Sequence, residues 1–328
     1  MASTEARAPN VGMTPELVAA YQRCRRIHAA HGRTYYLATR LLPHDRRPDV
    51  WALYAFARVA DDLVDAPAGP DPAGLLAWRD QAMAAMRSAV RPDPAKQPVL
   101  AATWHTMHAL GLDPGLLQEF LDAMVMDLTV CRYATWEDLR GYMRGSAAVI
   151  GELMAPLLGA RGPDALSRAA ELGEAFQLTN FIRDVGEDHA RGRIYLPQSD
   201  LARFGVSEAL LTQAVRTGVP SPPVRSLVAF EVRRAIDLYA AARPGLGMVD
   251  ARSRPCLEIA FTLYRRILHR VIAHDFNVFE RRLVVPHWQR LATVGNVAVH
   301  AAGRGGLSII DRRGGLASSG RSTPRRHS

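Results

Sequence analysis

Apolar residues return every three to four positions along most of this chain, the spacing of one face of an α-helix. Leu17, Tyr21, Cys24 and His28 form the first such stripe, opened by Thr14-Pro15 and closed by Gly32. A second helical pattern starts at Pro48-Asp49 and ends at Pro67, and others cover 74–90, 99–110, 114–131, 136–159, 164–189, 207–215, 224–241 and 252–282. Proline-dense breaks lie at Pro67 to Pro72 and at Pro92 to Pro98. Sustained period-two alternation is missing, as are Asn-Gly and Asp-Gly turns, so no sizeable β-sheet is predicted. No internal repeat is visible. The expectation is an all-α, single-domain protein over residues 10–300.

Composition supports a packed core. Of 328 residues, 48% are hydrophobic and 22% charged, which excludes a wholly disordered or fibrous chain. Cys24, Cys131 and Cys256 stand singly, without a CxxC pair, so neither a disulfide framework nor a zinc cluster is expected and the chain reads as cytoplasmic. The most apolar stretch, Ala147 to Ala160, is short and contains Glu152; Glu5 and Arg7 stand where an export signal needs apolar residues. The net charge of +9 does not point to nucleic acid. Residues 303–328 hold six arginines and one aspartate, so +5 of the +9 sits in a Gly/Ser/Arg-rich segment read as a disordered, solubilising tail.

Two acidic clusters change the picture. In Arg58-Val-Ala-Asp61-Asp62-Leu-Val-Asp65, Asp61 and Asp65 share a helix face with Tyr54 and Arg58, directly after the apolar run WALYAFARVA. In Gln177-Leu-Thr-Asn180-Phe-Ile-Arg183-Asp184-Val-Gly-Glu187-Asp188, residues Asn180, Asp184 and Asp188 recur every four positions, with Gln177 extending the row. Either cluster alone reads as a solvated helix face. Two such rows embedded in apolar sequence carry carboxylates with too few cations to balance them. Divalent metal is the natural compensation, and an oxygen-only ligand set favours Mg2+ completed by substrate phosphates, with Mn2+ an acceptable substitute.

These residues carry a resemblance. QLTNFIRDVGEDHARGRIYLP (Gln177 to Pro197) and YAFARVADDLVD (Tyr54 to Asp65) are similar to the two aspartate motifs of the squalene/phytoene synthase family. The likeness extends to CRRIHAAHGRTYYLATRLLP and to YRRILHRVIAHDFNVFERRLVVP, and is strongest to bacterial phytoene synthases. It implies an isoprenoid-synthase helical bundle, with two aspartate-bearing helices facing across a central cavity. It further implies head-to-head joining of two prenyl diphosphates through a cyclopropyl diphosphate, in carotenoid biosynthesis. By resemblance Asp61, Asp65, Asn180, Asp184 and Asp188 take the Mg2+–diphosphate positions, and His31, Arg58, Tyr142, Gln177, Arg183, Tyr264 and Arg281 the substrate-contacting ones. If 252–282 were one helix, Tyr264 and Arg281 would stand about 25 Å apart. Both reach one diphosphate only if that helix breaks, near His274 to Asn277.

One position departs from the family pattern. Arg144 stands where a second tyrosine usually follows Tyr142, so that either Tyr142 substitutes or the Arg144 guanidinium serves the diphosphate. Ser146, Ala147, Ala148 and Gly151 beyond it fit a prenyl channel and close helix packing equally well. The expected substrate is geranylgeranyl diphosphate and the product phytoene, without NADPH. The alternatives are a farnesyl-diphosphate-using squalene, dehydrosqualene or presqualene diphosphate synthase of the same family, a chain-elongating prenyltransferase read from the literal DDxxD of Asp61, Asp62 and Asp65, and an inactive isoprenoid-binding protein. His105 and His108 are spaced for metal but lack a third ligand nearby and read as ordinary histidines. Greasy substrates imply transient peripheral membrane contact; the oligomeric state is left open.

Overall fold

The computed structural model describes residues 13–65, 69–280 and 283. The tail at 303–328, the outer ends of the expected domain and Arg281 lie outside the described residues. Thirteen α-helices are described: α1 (Pro15–His31), α2 (Arg33–Thr39), α3 (Arg47–Val64), α4 (Pro72–Arg87), α5 (Pro98–Leu110), α6 (Pro114–Met126), α7 (Trp136–Met143), α8 (Val149–Leu157), α9 (Ala165–Ala190), α10 (Gln198–Arg203), α11 (Glu208–Thr217), α12 (Pro222–Ala242) and α13 (Arg254–Ala273). Among the described residues there is no strand, only a parallel bridge between Arg132 and Ile194.

Local chemistry sets many of the boundaries. Thr14 Oγ1 accepts from the Leu17 N–H and Pro15 opens α1; Asp71 and Ser207 cap α4 and α11 in the same way. Thr135 and Asp138 close a reciprocal capping box on α7. Two short helices, α2 and α10, carry too few turns to show a periodic stripe. The pattern expected over 136–159 is interrupted by one turn of π-helix at Arg144–Ala148. The pattern expected over 252–282 ends at Ala273, because Asp275 and Phe276 take φ of 50° and 56°.

α9 is the axle of the bundle, packed by α8, α12, α13, α11 and the π turn. Its approach to α8 is a backbone contact. A Cβ on Gly151 would lie 2.1 Å from the Ala169 carbonyl oxygen, and one on Gly173 2.3 Å from that of Ala147. Of the small residues after Arg144, Ser146, Ala147 and Gly151 line the central cavity, and Gly151 also seats α8 on α9.

Candidate active site

The first acidic row comes from α3, which buries Val50, Ala52, Leu53, Ala55, Phe56 and Ala60 and so cannot rotate freely. The helix stops at Val64, and Asp65 closes it with its N–H on the Asp61 carbonyl. One turn apart, Asp61 and Asp65 both face a cavity of about 820 Å3, as does Arg58. Asp62 points to the outside, half exposed, and pairs with Arg58. Of the three aspartates in the literal DDxxD, two therefore serve the cavity.

The second row comes from α9. Gln177, Asn180, Arg183, Asp184, Glu187 and Asp188 all line the same cavity. Arg183 clasps Asp184 in a two-pronged pair, Nε to Oδ1 at 2.7 Å. Past the end of α9, Gly192 adopts φ 78° and turns the chain back. That turn brings Arg193 Nη1 to 3.3 Å and Arg191 Nη1 to 3.7 Å from Asp65, so two arginines span the mouth between the rows. Neither was singled out by sequence reasoning, although both sit inside the quoted QLTNFIRDVGEDHARGRIYLP segment.

One carboxylate outside both rows was missed altogether. Asp127 follows α6 singly and is buried at the cavity wall, where it accepts from Tyr142 Oη at 2.7 Å and Tyr195 Oη at 3.2 Å. Its only sequence signal is an acid inside the apolar run LDAMVMDL. The electrostatics of the site follow from its partial dryness. Burial pushes the Asp61 carboxyl up to about 7, opposed by Arg58 and reinforced by Asp65 and Asp62. Burial, with Asp184 adding, pushes Asp188 up to about 7 against Arg191 and Arg193. Asp127 rises to about 6 by burial, held back by the Tyr142 hydrogen bond, Arg193 and Tyr195.

The remaining candidates divide. Tyr142 lines the cavity. Tyr264 is buried behind the wall, its ring 4.4 Å from Phe176 and 5.4 Å from Tyr35, both of which line it. His31 is exposed at the end of α1 and is not among the lining residues; His28, three positions earlier, is, stacked on Tyr54 at 4.0 Å. Burial pushes His28 down to about 4. The helix break needed to bring Arg281 back exists at Asp275 and Phe276, but Arg281 itself is outside the described residues. Arg144 turns away from the cavity to pair with Glu119 at 2.9 Å and Glu152 at 2.6 Å.

The donors around the mouth suit a divalent cation only with help from outside the protein. Among the described residues no three His, Cys, Asp or Glu side chains converge tightly enough to enclose an ion by themselves. Asn180 Oδ1, however, is buried in the second row and accepts no hydrogen bond. Oxygen-only donors, an unpartnered amide oxygen and carboxylates on two facing helices fit Mg2+, which keeps water or phosphate in most of its coordination positions. Away from this polar mouth the walls are apolar, including Leu53, Phe120, Leu153, Met154, Leu172 and Leu257.

Comparison with known proteins points one way. The family model described as squalene/phytoene synthase matches residues 28–289. A 15-cis-phytoene synthase of Synechococcus elongatus is 34% identical over 289 residues, covering 84% of this chain and 91% of the relative. That of Synechocystis is 35% identical over 286 residues, covering 83% and 82%. A solved dehydrosqualene synthase in complex with ligand superposes with a TM-score of 0.79 at 28% identity, covering 88% of this chain and 98% of that one. A squalene synthase of Alicyclobacillus acidocaldarius gives 0.71 at 28% identity, covering 81% and 97%.

Proposed function

This chain belongs to the squalene/phytoene synthase family of prenyltransferases, and on that basis we propose that it condenses two geranylgeranyl diphosphates head to head into phytoene, with Mg2+ and without NADPH. The observation that carries the reading is the meeting of two acidic rows, Asp61/Asp65 and Asn180/Asp184/Asp188, at the polar mouth of one otherwise apolar cavity. Asp61, Asp65, Asn180, Asp184 and Asp188 would hold the metal. Bound there, Mg2+ supplies Lewis-acid stabilisation of the departing diphosphate.

The chain's own residues account for the rest. Arg58, Arg183, Arg191 and Arg193 fix positive charge around the mouth, where a diphosphate carries its negative charge, and Gln177 offers an amide to the same oxygens. All four arginines are already tied to carboxylates, Arg58 to Asp62, Arg183 to Asp184, and Arg191 and Arg193 to Asp65, so their positions are set before substrate enters. Loss of diphosphate from one substrate leaves an allylic cation, which the double bond of the second attacks; a proton leaves and a cyclopropyl diphosphate forms. Loss of its diphosphate, rearrangement and loss of a second proton give the hydrocarbon. The apolar walls keep water from the cation. Released diphosphate is the base we assign to the last proton.

The lining of α9 runs from Ala165 to Asp188, about 34 Å at 1.5 Å per residue. An extended carbon chain advances about 1.2 Å per bond, so a sixteen-carbon main chain occupies roughly 18 Å of that length. A farnesyl diphosphate enzyme is the second reading, for which the superposed dehydrosqualene and squalene synthases supply family context. The reading makes residues 10–300 the catalytic unit of a cytoplasmic enzyme and 303–328 an appended tail. The apolar product implies transient membrane contact; among the described residues no helix is long and apolar enough to cross a membrane. The test is a product assay with Mg2+ and either geranylgeranyl or farnesyl diphosphate, with and without NADPH. A forty-carbon hydrocarbon from the longer substrate, independent of NADPH, is expected. A thirty-carbon product, or a stalled cyclopropyl diphosphate, would move the protein to the second reading.

A further inference from the structure

Asp127 lies on neither acidic row, yet residues from two other parts of the chain hang on it. Its side chain is 7% exposed. It accepts from two phenols, Tyr142 at 2.7 Å on one oxygen and Tyr195 at 3.2 Å on the other. Its main-chain carbonyl accepts from Arg193 Nη2 at 3.0 Å, while Nη1 of the same guanidinium reaches Asp65 at 3.3 Å. Asp127 follows α6, Tyr142 lies on α7, and Tyr195 and Arg193 lie in the return after α9. The carboxylate thus joins three parts of the chain that no local rule places together. Tyr195 is stacked on Phe181 with centroids 4.1 Å apart, and both rings line the cavity with Tyr142.

We propose that Asp127 is a positioning residue for the condensation: it holds the Tyr142 and Tyr195 hydroxyls so that their oxygens, and not their protons, face the cavity, and it steadies Arg193 beside Asp65. The inference rests on the reaction proposed above. An ionised carboxylate has no proton to give, so each phenol must spend its own O–H on Asp127. A charge-assisted bond makes the phenol oxygen more electron-rich. Fixed negative dipoles on the wall beside the first acidic row are then in place when diphosphate departs and positive charge remains on the prenyl chain. A purely structural role would be filled better by apolar side chains, since a buried carboxylate loses hydration that two phenol hydrogen bonds only partly return.

The full chain with Mg2+ and its prenyl diphosphate is assayed for hydrocarbon as wild type, Asp127→Asn, Tyr142→Phe and the double variant, with melting temperatures alongside. Asparagine keeps the volume and removes the charge. Expected for Asp127→Asn is a loss in kcat of roughly 10²-fold, with KM within about twofold. The double variant should be no worse than the more damaged single one, since both changes break the same unit. Losses that multiply, or a rise in KM with kcat preserved, would overturn the proposal. Should Asp127→Asn not fold, the Tyr142→Phe/Tyr195→Phe pair decides: it should lose kcat to the same degree, and unchanged kcat would refute the assignment. A wild type that yields no hydrocarbon overturns the reaction itself, whereas an active wild type with multiplying losses overturns only the role of Asp127.

Discussion

Gly151→Ala adds one methyl group where the structure has no room for it. The new carbon would sit 2.1 Å from the Ala169 carbonyl oxygen and 2.7 Å from its carbon, against ordinary contact near 3.4 Å. Both obstacles are backbone, so relief requires α8 to retreat from α9 by about 1 Å rather than a side chain to swing aside. Overpacking of this kind costs about 3 kcal/mol, and alanine's better helix propensity returns about 1 kcal/mol. The net loss of about 2 kcal/mol lowers the melting temperature by about 3 °C in a chain of this size. Retreat of α8 also moves Ile150 and Met154 in the cavity wall, so turnover should fall with stability. Gly141→Ala is the control: it is exposed in α7 with nothing within 4 Å of the added carbon, and should gain about 0.5–1 kcal/mol. Thermal unfolding of the two variants beside wild type decides. A Gly151→Ala protein melting at or above wild type would refute the reading of α8 and α9 as helices in backbone contact.

Three further outcomes are expected. Asp61→Ala and Asp184→Ala should each abolish product formation while far-ultraviolet circular dichroism stays unchanged; near-normal turnover in either would remove the metal assignment. Arg144→Met should cost about 1 kcal/mol, because its two glutamate pairs are partly exposed, and leave kcat unchanged; a tenfold fall in kcat would return its guanidinium to the diphosphate. His28, buried and pushed down to about 4, binds fewer protons folded than unfolded between pH 4 and 6.5. The stability of keeping it neutral is complete above pH 6.5 and is lost as pH falls toward 4, up to about 3 kcal/mol. His28→Phe preserves the stack on Tyr54, and its melting temperature should decline less between pH 7 and 5 than that of wild type; equal declines would contradict the burial argument.

Whatever periodicity carries was legible in the order of the amino acids. The long helices are visible because their apolar faces repeat over several turns; spacing sets Asp61 and Asp65 on one face, whereas it was the family resemblance that chose them over Asp62, and the fold turns Asp62 outward. The same spacing aligns Asn180, Asp184 and Asp188 on one face, and the structure turns that face into the cavity. The short α2 and α10 had no stripe to read, and the stop at Ala273 depends on two residues at positive φ rather than on a proline or glycine. Tertiary structure decided what single residues do. Asp127 has no acidic neighbour at helical spacing, and Arg191 and Arg193 look like any basic end of a helix. Each gains its place from a return of the chain that brings distant segments within hydrogen-bond distance. Arg144 shows the converse: its position in the motif drew it toward the substrate, and Glu119 and Glu152 hold it outside. Spacing along one helix fixes which side chains share a face. Which side chains from different helices meet is fixed only by how the helices pack, and that is set by volumes such as the missing Cβ atoms of Gly151 and Gly173.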